Sequence, residues 1–255
     1  MKNKKVSLFY KDYTKYKAHI GHKSLNIVSK KRSHPYSASF LLCCKNKHVI
    51  INPLPFLEKF VKSLHIIAFF LKNKKKICIV NTNKDLSNLI ENFYRYTLLE
   101  NHSVYYCNEK WVGGFLTNWK QVCRSIQTYM AFSERFETFI SKNNINFPRY
   151  KKMSMSFQGL KKEYLKKRPV FLNKANYNRP DLIFLINPNE NRHVVEEAVS
   201  LNIPVVAITD SNTNLLGISY PIPGNSNSIE FVHYCLQWIA RVTLKKNKNS
   251  TLITT

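Results

Sequence analysis

The sequence is poor in acidic residues and in glycine. It has 15 Asp and Glu against 40 Lys and Arg, which gives a net charge of +25, and only four of the acids are Asp. So few carboxylates argue against a metal or glycosidase site built from acids. Only six glycines are present, and neither G-x-G-x-x-G nor G-x-x-x-x-G-K-[ST] occurs. A nucleotide-phosphate loop needs such glycines, so its absence disfavours a nucleotide enzyme.

Long hydrophobic runs are also missing. The longest nearly pure apolar run covers residues 64–71, whereas a membrane-spanning helix needs roughly 20 residues. The N-terminus lacks both the apolar stretch of a secretory signal and the Arg/Ser-rich pattern of a transit peptide. We therefore predict no transmembrane segment, and we expect the protein to be used in the compartment where it is made.

The six cysteines form no C-x-x-C pair. The two closest, Cys43 and Cys44, are adjacent, which is a poor spacing for zinc. Cys78 and Cys107 lie in apolar runs, where a thiol usually behaves as a small buried hydrophobe. We expect reduced, structural cysteines in a reducing compartment, and we predict neither a metal site nor a cofactor.

What the chain does have is the composition of a folded protein with a strong cationic excess. Hydrophobic residues make up 44% of it and aromatic residues 13%, which excludes wholesale disorder. Lys outnumbers Arg by 31 to 9, and there are 28 Asn. Because Lys, Asn, Ile, Phe and Tyr have A/T-rich codons, we hypothesise an A/T-rich genome such as that of an organelle. The excess charge predicts a polyanionic partner.

Short apolar strands alternate with helices along most of the chain, which is typical of β-α-β crossovers and a parallel sheet. The pattern predicts strands at 77–80, 104–107, 182–186 and 205–209, and a shorter one at 48–51. It predicts helices at 53–71, 86–99, 192–201 and 228–244.

Residues 118–178 break this alternation. Two helical stretches, at about 118–142 and 154–167, are predicted there and neither shows strand periodicity. We interpret them as a helical hairpin inserted into the α/β core. The predicted organisation is a core with a basic N-terminal segment, an inserted hairpin and a flexible tail; their bounds are 1–124 with 177–247, 125–176, and 248–255.

Asp210 follows the last predicted parallel strand, which is where catalytic carboxylates often lie in such sheets. We favour the simpler interpretation that Asp210 and Asn212 hydrogen-bond their own turn. His19 and His22 lack a third ligand at a suitable spacing, so we expect partly buried, hydrogen-bonded histidines. The three tryptophans are expected to be core or interface anchors, with base stacking as the alternative; they are Trp111, Trp119 and Trp238.

Three basic segments, 1–35, 72–76 and 149–179, contain almost no compensating acids. Releasing counterions from several phosphates at once is the main source of sequence-independent affinity for nucleic acid. A membrane-surface role would favour an amphipathic helix with cations beside its apolar face, and no segment shows this clearly. We predict contacts to RNA by Lys23, Lys30, Lys31, Arg32, Lys110, Lys151, Lys152, Lys161 and Lys162.

Four sequence blocks then become recognisable in order. Residues 19–22 read H-I-G-H and residues 111–119 read W-V-G-G-F-L-T-N-W. The third block runs from P-D-L-I-F at 180–184 to I-P-V-V-A-I-T-D-S-N at 203–212, and the fourth is Y-P-I-P-G-N at 220–225. Together they resemble the ribosomal protein S2 family, the second protein of the small ribosomal subunit, in its bacterial and organellar form.

This resemblance implies a flavodoxin-like α/β domain with a parallel sheet flanked by helices and a protruding helical hairpin. It implies a structural constituent of the small ribosomal subunit that binds small-subunit rRNA and neighbouring ribosomal proteins. It implies no enzymatic activity, no cofactor, no small-molecule substrate and no membrane. We expect a mitochondrial, organelle-encoded member, with a plastid or the bacterial cytoplasm as the alternative location.

Two other functions stay open at this point. One is a Rossmann-like nucleotide-using enzyme built on Asp210 and the Gly113-Gly114 turn. The other is a free nucleic-acid-binding protein that works outside a ribosome. Salt-dependent RNA binding separates the first from a ribosomal protein, and co-sedimentation with small subunits separates the second.

Overall fold

The computed structural model describes residues 10–23, 39–98, 104–108, 111, 113–143 and 179–250. Three strands form a small antiparallel sheet in the order β1-β3-β2: β1 (Ile20–Lys23), β2 (Leu41–Lys45) and β3 (His48–Ile51). Five strands form a parallel sheet in the order β5-β4-β6-β7-β8: β4 (Ile77–Val80), β5 (Val104–Cys107), β6 (Leu182–Ile186), β7 (Val205–Thr209) and β8 (Tyr220–Pro223).

Five helices connect or flank these strands. They are α1 (Pro53–Lys72), α2 (Ser87–Leu98), α3 (Trp119–Asn143), α4 (Arg192–Ser200) and α5 (Ile229–Ser250). Residues 10–15 are also helical, and a short 3-10 turn at Lys84–Leu86 precedes α2. The predicted strands and helices of the α/β core are confirmed, with bounds that differ by a few residues.

The parallel sheet is buried on both faces. Every residue of β4, β6 and β7 is buried, which is why their sequences are continuous apolar runs. Side chains alternate between two cores: Ile79 and Phe184 pack with α1, α2 and α5, whereas Cys78 and Ile183 pack with α3 and α4. This arrangement confirms the predicted flavodoxin-like sheet between helical layers.

Strand β8 escaped prediction because its alternate residues Pro221 and Pro223 read as a loop. Proline removes a backbone donor and is therefore tolerated mainly in edge strands. In the structure β8 is the edge strand next to β7, and Ala207 and Thr209 are paired with these two prolines. Strands β1 and β2 were also missed, because they are short and β2 is largely exposed.

The predicted helical hairpin is described only in its first half. Helix α3 covers the stretch predicted at 118–142, with Trp119 and Cys123 buried at its start. Further along, Phe132 and Phe139 are exposed, so α3 leaves the core after its first turns. The second predicted helix, at 154–167, lies outside the described residues.

The C-terminal helix is longer than predicted. We placed its end near Leu244 and began a flexible tail at residue 248, whereas α5 continues to Ser250. Its start also differs from the expected one. Ser228 Oγ accepts from the Phe231 N–H at 3.4 Å and so caps α5, while Asn225 Oδ1 accepts from the Asn227 N–H in the preceding turn.

The cysteines were expected to be reduced and structural, with Cys78 and Cys107 buried, and a buried, structural setting is found for four of the six. Cys78, Cys107, Cys123 and Cys235 are buried. Cys43 and Cys44 are exposed on β2, which is an edge strand of the small antiparallel sheet. For these two residues the expectation is wrong, because both faces of β2 are solvent-accessible.

Candidate nucleic-acid interface

The N-terminal segment is fixed against the carboxyl end of β7. His22 Nδ1 lies 3.1 Å from Asp210 Oδ1, and the side chains of the two residues are 24% and 1% exposed. The His22 N–H donates to Ser211 Oγ at 3.0 Å. A Cβ built on Gly21 would lie 2.6 Å from the same Oγ, so glycine permits this close approach. The H-I-G-H block therefore contacts the T-D-S-N block directly.

This contact changes the pKa of His22. The hydrogen bond to the Asp210 carboxylate raises the pKa of His22 above its usual value of 6.5, partial burial opposes the shift, and the charge of Asp210 adds to it. A protonated imidazole next to a buried carboxylate compensates a charge that would otherwise be costly to bury. His22 thus acts as the counter-ion of Asp210.

Asp210 also organises its own turn, as predicted. Its Oδ1 accepts from the Ser211 N–H, and its own N–H donates to Thr213 Oγ1 at 3.0 Å. Asn212 differs from the prediction, since its Oδ1 accepts from Asn189 Nδ2 at 2.6 Å and joins the neighbouring loop. His19 and His22 are both partly buried, as expected; His22 lies in β1 and His19 in the turn before it.

A second anchor holds the N-terminal segment to the loop before α5. The Asn225 N–H donates to the Ala18 carbonyl at 3.1 Å, and Ser228 Oγ donates to the Tyr16 carbonyl at 3.0 Å. The Y-P-I-P-G-N block therefore binds the N-terminal segment to the core, as the T-D-S-N block does.

Amide side chains bind one another at the ends of β4 and β5. Asn81 Nδ2 donates to Asn108 Oδ1 at 2.8 Å, and Asn108 Nδ2 donates to Ser87 Oγ at 2.7 Å. After β6, Asn191 Nδ2 donates to Thr82 Oγ1 at 2.8 Å. These neutral groups are satisfied inside the protein, so the asparagine side chains of this cluster supply no acid or base.

Glu197 on α4 binds the loop that contains Gly113 and Gly114. Its Oε1 accepts from Gly114 N–H at 2.8 Å and from Trp111 Nε1–H at 3.2 Å, and its Oε2 accepts from Leu116 N–H at 2.7 Å. Gly114 has a φ of +79°, which side chains rarely adopt. The W-V-G-G-F-L-T-N-W block thus forms the predicted tight turn, with a carboxylate partner that spacing alone did not reveal.

Cations concentrate at the opposite, amino end of the parallel sheet. Lys72, Lys74, Lys75 and Arg179 are exposed there, and we call them the amino-edge cluster. Asp181 accepts from Lys75 Nζ at 3.2 Å and from the Lys76 N–H at 2.8 Å, so it ties the start of β6 to the start of β4. Asp181 therefore has a structural role at the start of β6.

Further exposed cations lie on the projecting elements. They are Lys11, Lys15, Lys17, Lys23, Lys45, Lys47, Lys120, Arg124, Arg135 and Lys142. Some described cations already pair with carboxylates: Lys62 with Glu58 and Arg192 with Glu196 lie within one helix, and Lys75 with Asp181 joins the starts of two strands. The surfaces that carry the remaining lysines therefore suit a polyanion.

Of the nine predicted RNA contacts, the structure describes one. Lys23 is exposed at the end of β1. The other eight lie outside the described residues: Lys30, Lys31, Arg32, Lys110, Lys151, Lys152, Lys161 and Lys162. Within the described part of the chain, no three His, Cys, Asp or Glu residues are grouped to hold a metal ion.

The lengths and apolar character of the helices bear on whether they could insert into a membrane. None of the helices among the described residues has an apolar stretch long enough to cross a lipid bilayer.

Known proteins match most of the chain. The sequence model of a family described as ribosomal protein S2 matches residues 14–245. The chain is 32% identical over 216 residues to the small ribosomal subunit protein uS2m of Marchantia polymorpha. The matched region covers 82% of this chain and 83% of the relative. It is 31% identical to the uS2 proteins of Rickettsia peacockii and Rickettsia conorii, over 218 and 226 residues, with 85% of this chain and 68% of each relative covered.

Proposed function

This chain belongs to the ribosomal protein S2 family, and from that premise we propose that it is a structural protein of the small ribosomal subunit that binds ribosomal RNA through its lysine-rich surfaces. One observation carries the RNA-binding part. The amino-edge cluster presents four exposed cations, and among the described residues one of them, Lys75, pairs with a carboxylate, that of Asp181. Lysine suits phosphate attraction rather than base reading, so this surface fits an RNA backbone.

The carboxyl end of the parallel sheet lacks the features expected of a nucleotide enzyme, which supports the same function. Asp210, the best candidate for a catalytic carboxylate, is 1% exposed and already paired with His22. The phosphate-binding glycines of nucleotide enzymes are absent from the sequence. These features favour a binding protein without enzymatic activity over a Rossmann-like enzyme.

We also propose the finer organisation and location. The hairpin at 125–176 would extend from a core made of 1–124 and 177–247 and would carry Lys151, Lys152, Lys161 and Lys162 to the RNA. The exposed Phe132 and Phe139 on α3 support a helix that projects from the core. The uS2m relative and the A/T-type composition support a mitochondrial ribosome with neighbouring ribosomal proteins as partners.

A salt series on matched variants tests the RNA-binding role. Binding of the full-length chain to a small-subunit rRNA transcript is measured by filter retention between low and moderate salt. We expect affinity to fall steeply with salt for the natural chain, and the slope to fall by about 1 for each lysine that contacts phosphate in K72Q/K74Q.

The matched control is K62Q/R192Q, which removes two cations that already face carboxylates. Its salt slope should match that of the natural chain. A flat salt response of the natural chain, or saturable binding of a free nucleotide in its place, would contradict the proposal.

A further inference from the structure

A cleft remains at the carboxyl end of the parallel sheet. In the sheet order β5-β4-β6-β7-β8, strand β4 lies between β5 and β6, which are the next two strands along the chain. The loops after β4 and β6 therefore diverge, and open α/β sheets bind ligands at such a switch point. A cleft of about 210 Å³ lies here, lined by residues of those two loops, of the loop after β5 and of the first turn of α4: Thr82, Trp111, Gly113, Glu190, Asn191, His193 and Val194.

The size of the cleft fits a single ring system. A cavity of about 150 Å³ accepts benzene, whereas drug-sized ligands occupy about 300–1,000 Å³. At about 210 Å³ the cleft is large enough for one base and smaller than the usual site of a dinucleotide.

One wall of the cleft is a fixed aromatic ring. The Trp111 Nε1–H donates to Glu197 Oε1 at 3.2 Å, and the indole meets Phe115 edge-on with ring centroids 5.0 Å apart. A ring held in place by two contacts loses little further freedom when another ring stacks on it.

The polar groups of the cleft suit a neutral ligand with N–H donors. Thr82 Oγ1 accepts from Asn191 Nδ2 and donates to Glu190 Oε2 at 3.4 Å. His193, which also lines the cleft, has its Nδ1 3.6 Å from Glu196 Oε2. The exposed Glu190 carboxylate accepts hydrogen bonds and repels phosphate. This combination disfavours a nucleotide phosphate and favours the edge of a base.

We propose that this cleft binds one unpaired base of small-subunit rRNA, guanine in preference, stacked on Trp111 and hydrogen-bonded to Glu190. Guanine presents two adjacent N–H donors, N1–H and the 2-amino group, which match the two oxygens of a carboxylate. Recognition of RNA by splayed-out bases on aromatic side chains is common. The inference rests on the proposed RNA-binding function and adds a base-specific site to it.

Gly113 provides a variant that closes the cleft. A Cβ at this position meets nothing within 4 Å, and its φ is outside the region that needs glycine. A leucine there can therefore fill the cleft without strain, while G113A leaves it open. Thermal unfolding of both variants is compared with that of the natural chain, and we expect similar midpoints.

The probes are two RNA hexamers, six uridines (U6) and U-U-G-U-U-U, titrated into the full-length chain with tryptophan fluorescence as readout. We expect the guanine hexamer to bind about tenfold more tightly, since a bidentate pair of hydrogen bonds to a base edge commonly discriminates against the wrong base by this much or more. G113L should reduce the difference to less than twofold with unchanged binding of U6, and G113A should keep it. E190Q should reduce the preference for guanine over an adenine hexamer.

The outcomes separate the two proposals. If U6 binds with the expected salt dependence but guanine adds nothing, or if G113L keeps the guanine preference, the base site is wrong and the RNA-binding function stands. If phenylalanine amide displaces the guanine hexamer and guanosine does not, the cleft takes a protein side chain and the base site is also wrong. If U6 shows no salt-dependent binding, the proposed function itself fails.

Discussion

The carboxylates of Asp210 and Glu197 both bind groups of the protein itself. Asp210 is buried next to His22 and accepts from Ser211, and Glu197 accepts from backbone and indole N–H groups of the loop after β5. Although the chain has only 15 acidic residues and a net charge of +25, these two carboxylates stabilise the fold. Their loss should therefore affect stability before it affects binding.

A double-mutant cycle tests the His22–Asp210 pair. We expect H22A and D210N each to lower the free energy of unfolding by about 1–3 kcal/mol, because each removes one partner of a charged, largely buried contact. The double variant should lose less than the sum, with a coupling of about 1 kcal/mol, by urea denaturation. H65A, at an exposed position on α1, should change stability by less than about 0.5 kcal/mol; strict additivity in the cycle would refute the pair.

The pH dependence of stability follows from the same contact. Because the pKa of His22 is raised in the folded state, the stabilisation is fully present below the unfolded value near 6.5 and is lost as pH rises through the folded value. The stability difference between the natural chain and H22Q should therefore be larger at pH 6 than at pH 8.5. Urea midpoints across this range give the answer, and a difference that grows with pH would contradict it.

At the scale of elements, Glu197 fixes the loop after β5 to α4. We expect E197A to lower the free energy of unfolding by about 2–3 kcal/mol, since hydrogen bonds to a charged group are stronger than neutral ones. The adjacent Glu196 is a matched control: it is exposed, and among the described residues it pairs with Arg192 and His193 on the same helix. E196A should cost less than about 0.5 kcal/mol, and equal losses for the two variants would show that Glu197 is no anchor.

The exposure of strand β2 makes its two cysteine thiols accessible to reagents, unlike the four buried ones. Cys43 and Cys44 should react rapidly with Ellman's reagent, whereas burial raises the pKa of Cys107 to about 12 and of Cys123 to about 11 and also shields Cys78 and Cys235. We expect two fast thiols and four slow ones, and no fast thiol in C43S/C44S. Four or more fast thiols in the folded protein would contradict the placement of these side chains.

The elements also show what sequence could and could not predict. Strands β4 to β7 were found because a strand buried on both faces is a short continuous apolar run. Strand β8 was missed because Pro221 and Pro223 conceal an edge strand. The contact of His22 with Ser211 joins residues 189 positions apart, and no local pattern signals such a pair. The resemblance to the family identified these blocks, but only the structure shows that they meet.

At the scale of the whole molecule, the two ends of the parallel sheet have different tasks. The carboxyl end holds the N-terminal segment through Asp210 and carries a small cleft beside Trp111. The amino end presents the amino-edge cluster of exposed cations. A fold often used by nucleotide enzymes can thus serve as a rigid platform for RNA, since function depends on the groups placed on a fold.

The most direct test of the ribosomal role is sedimentation of the full-length, tagged chain from the cells that express it. In a sucrose gradient of a mitochondrial lysate, we predict that the chain migrates with the small-subunit rRNA and in assembled ribosomes, and that high salt releases it. A chain that stays at the top of the gradient under mild salt, or that follows bulk nucleic acid apart from the small subunit, would contradict the account.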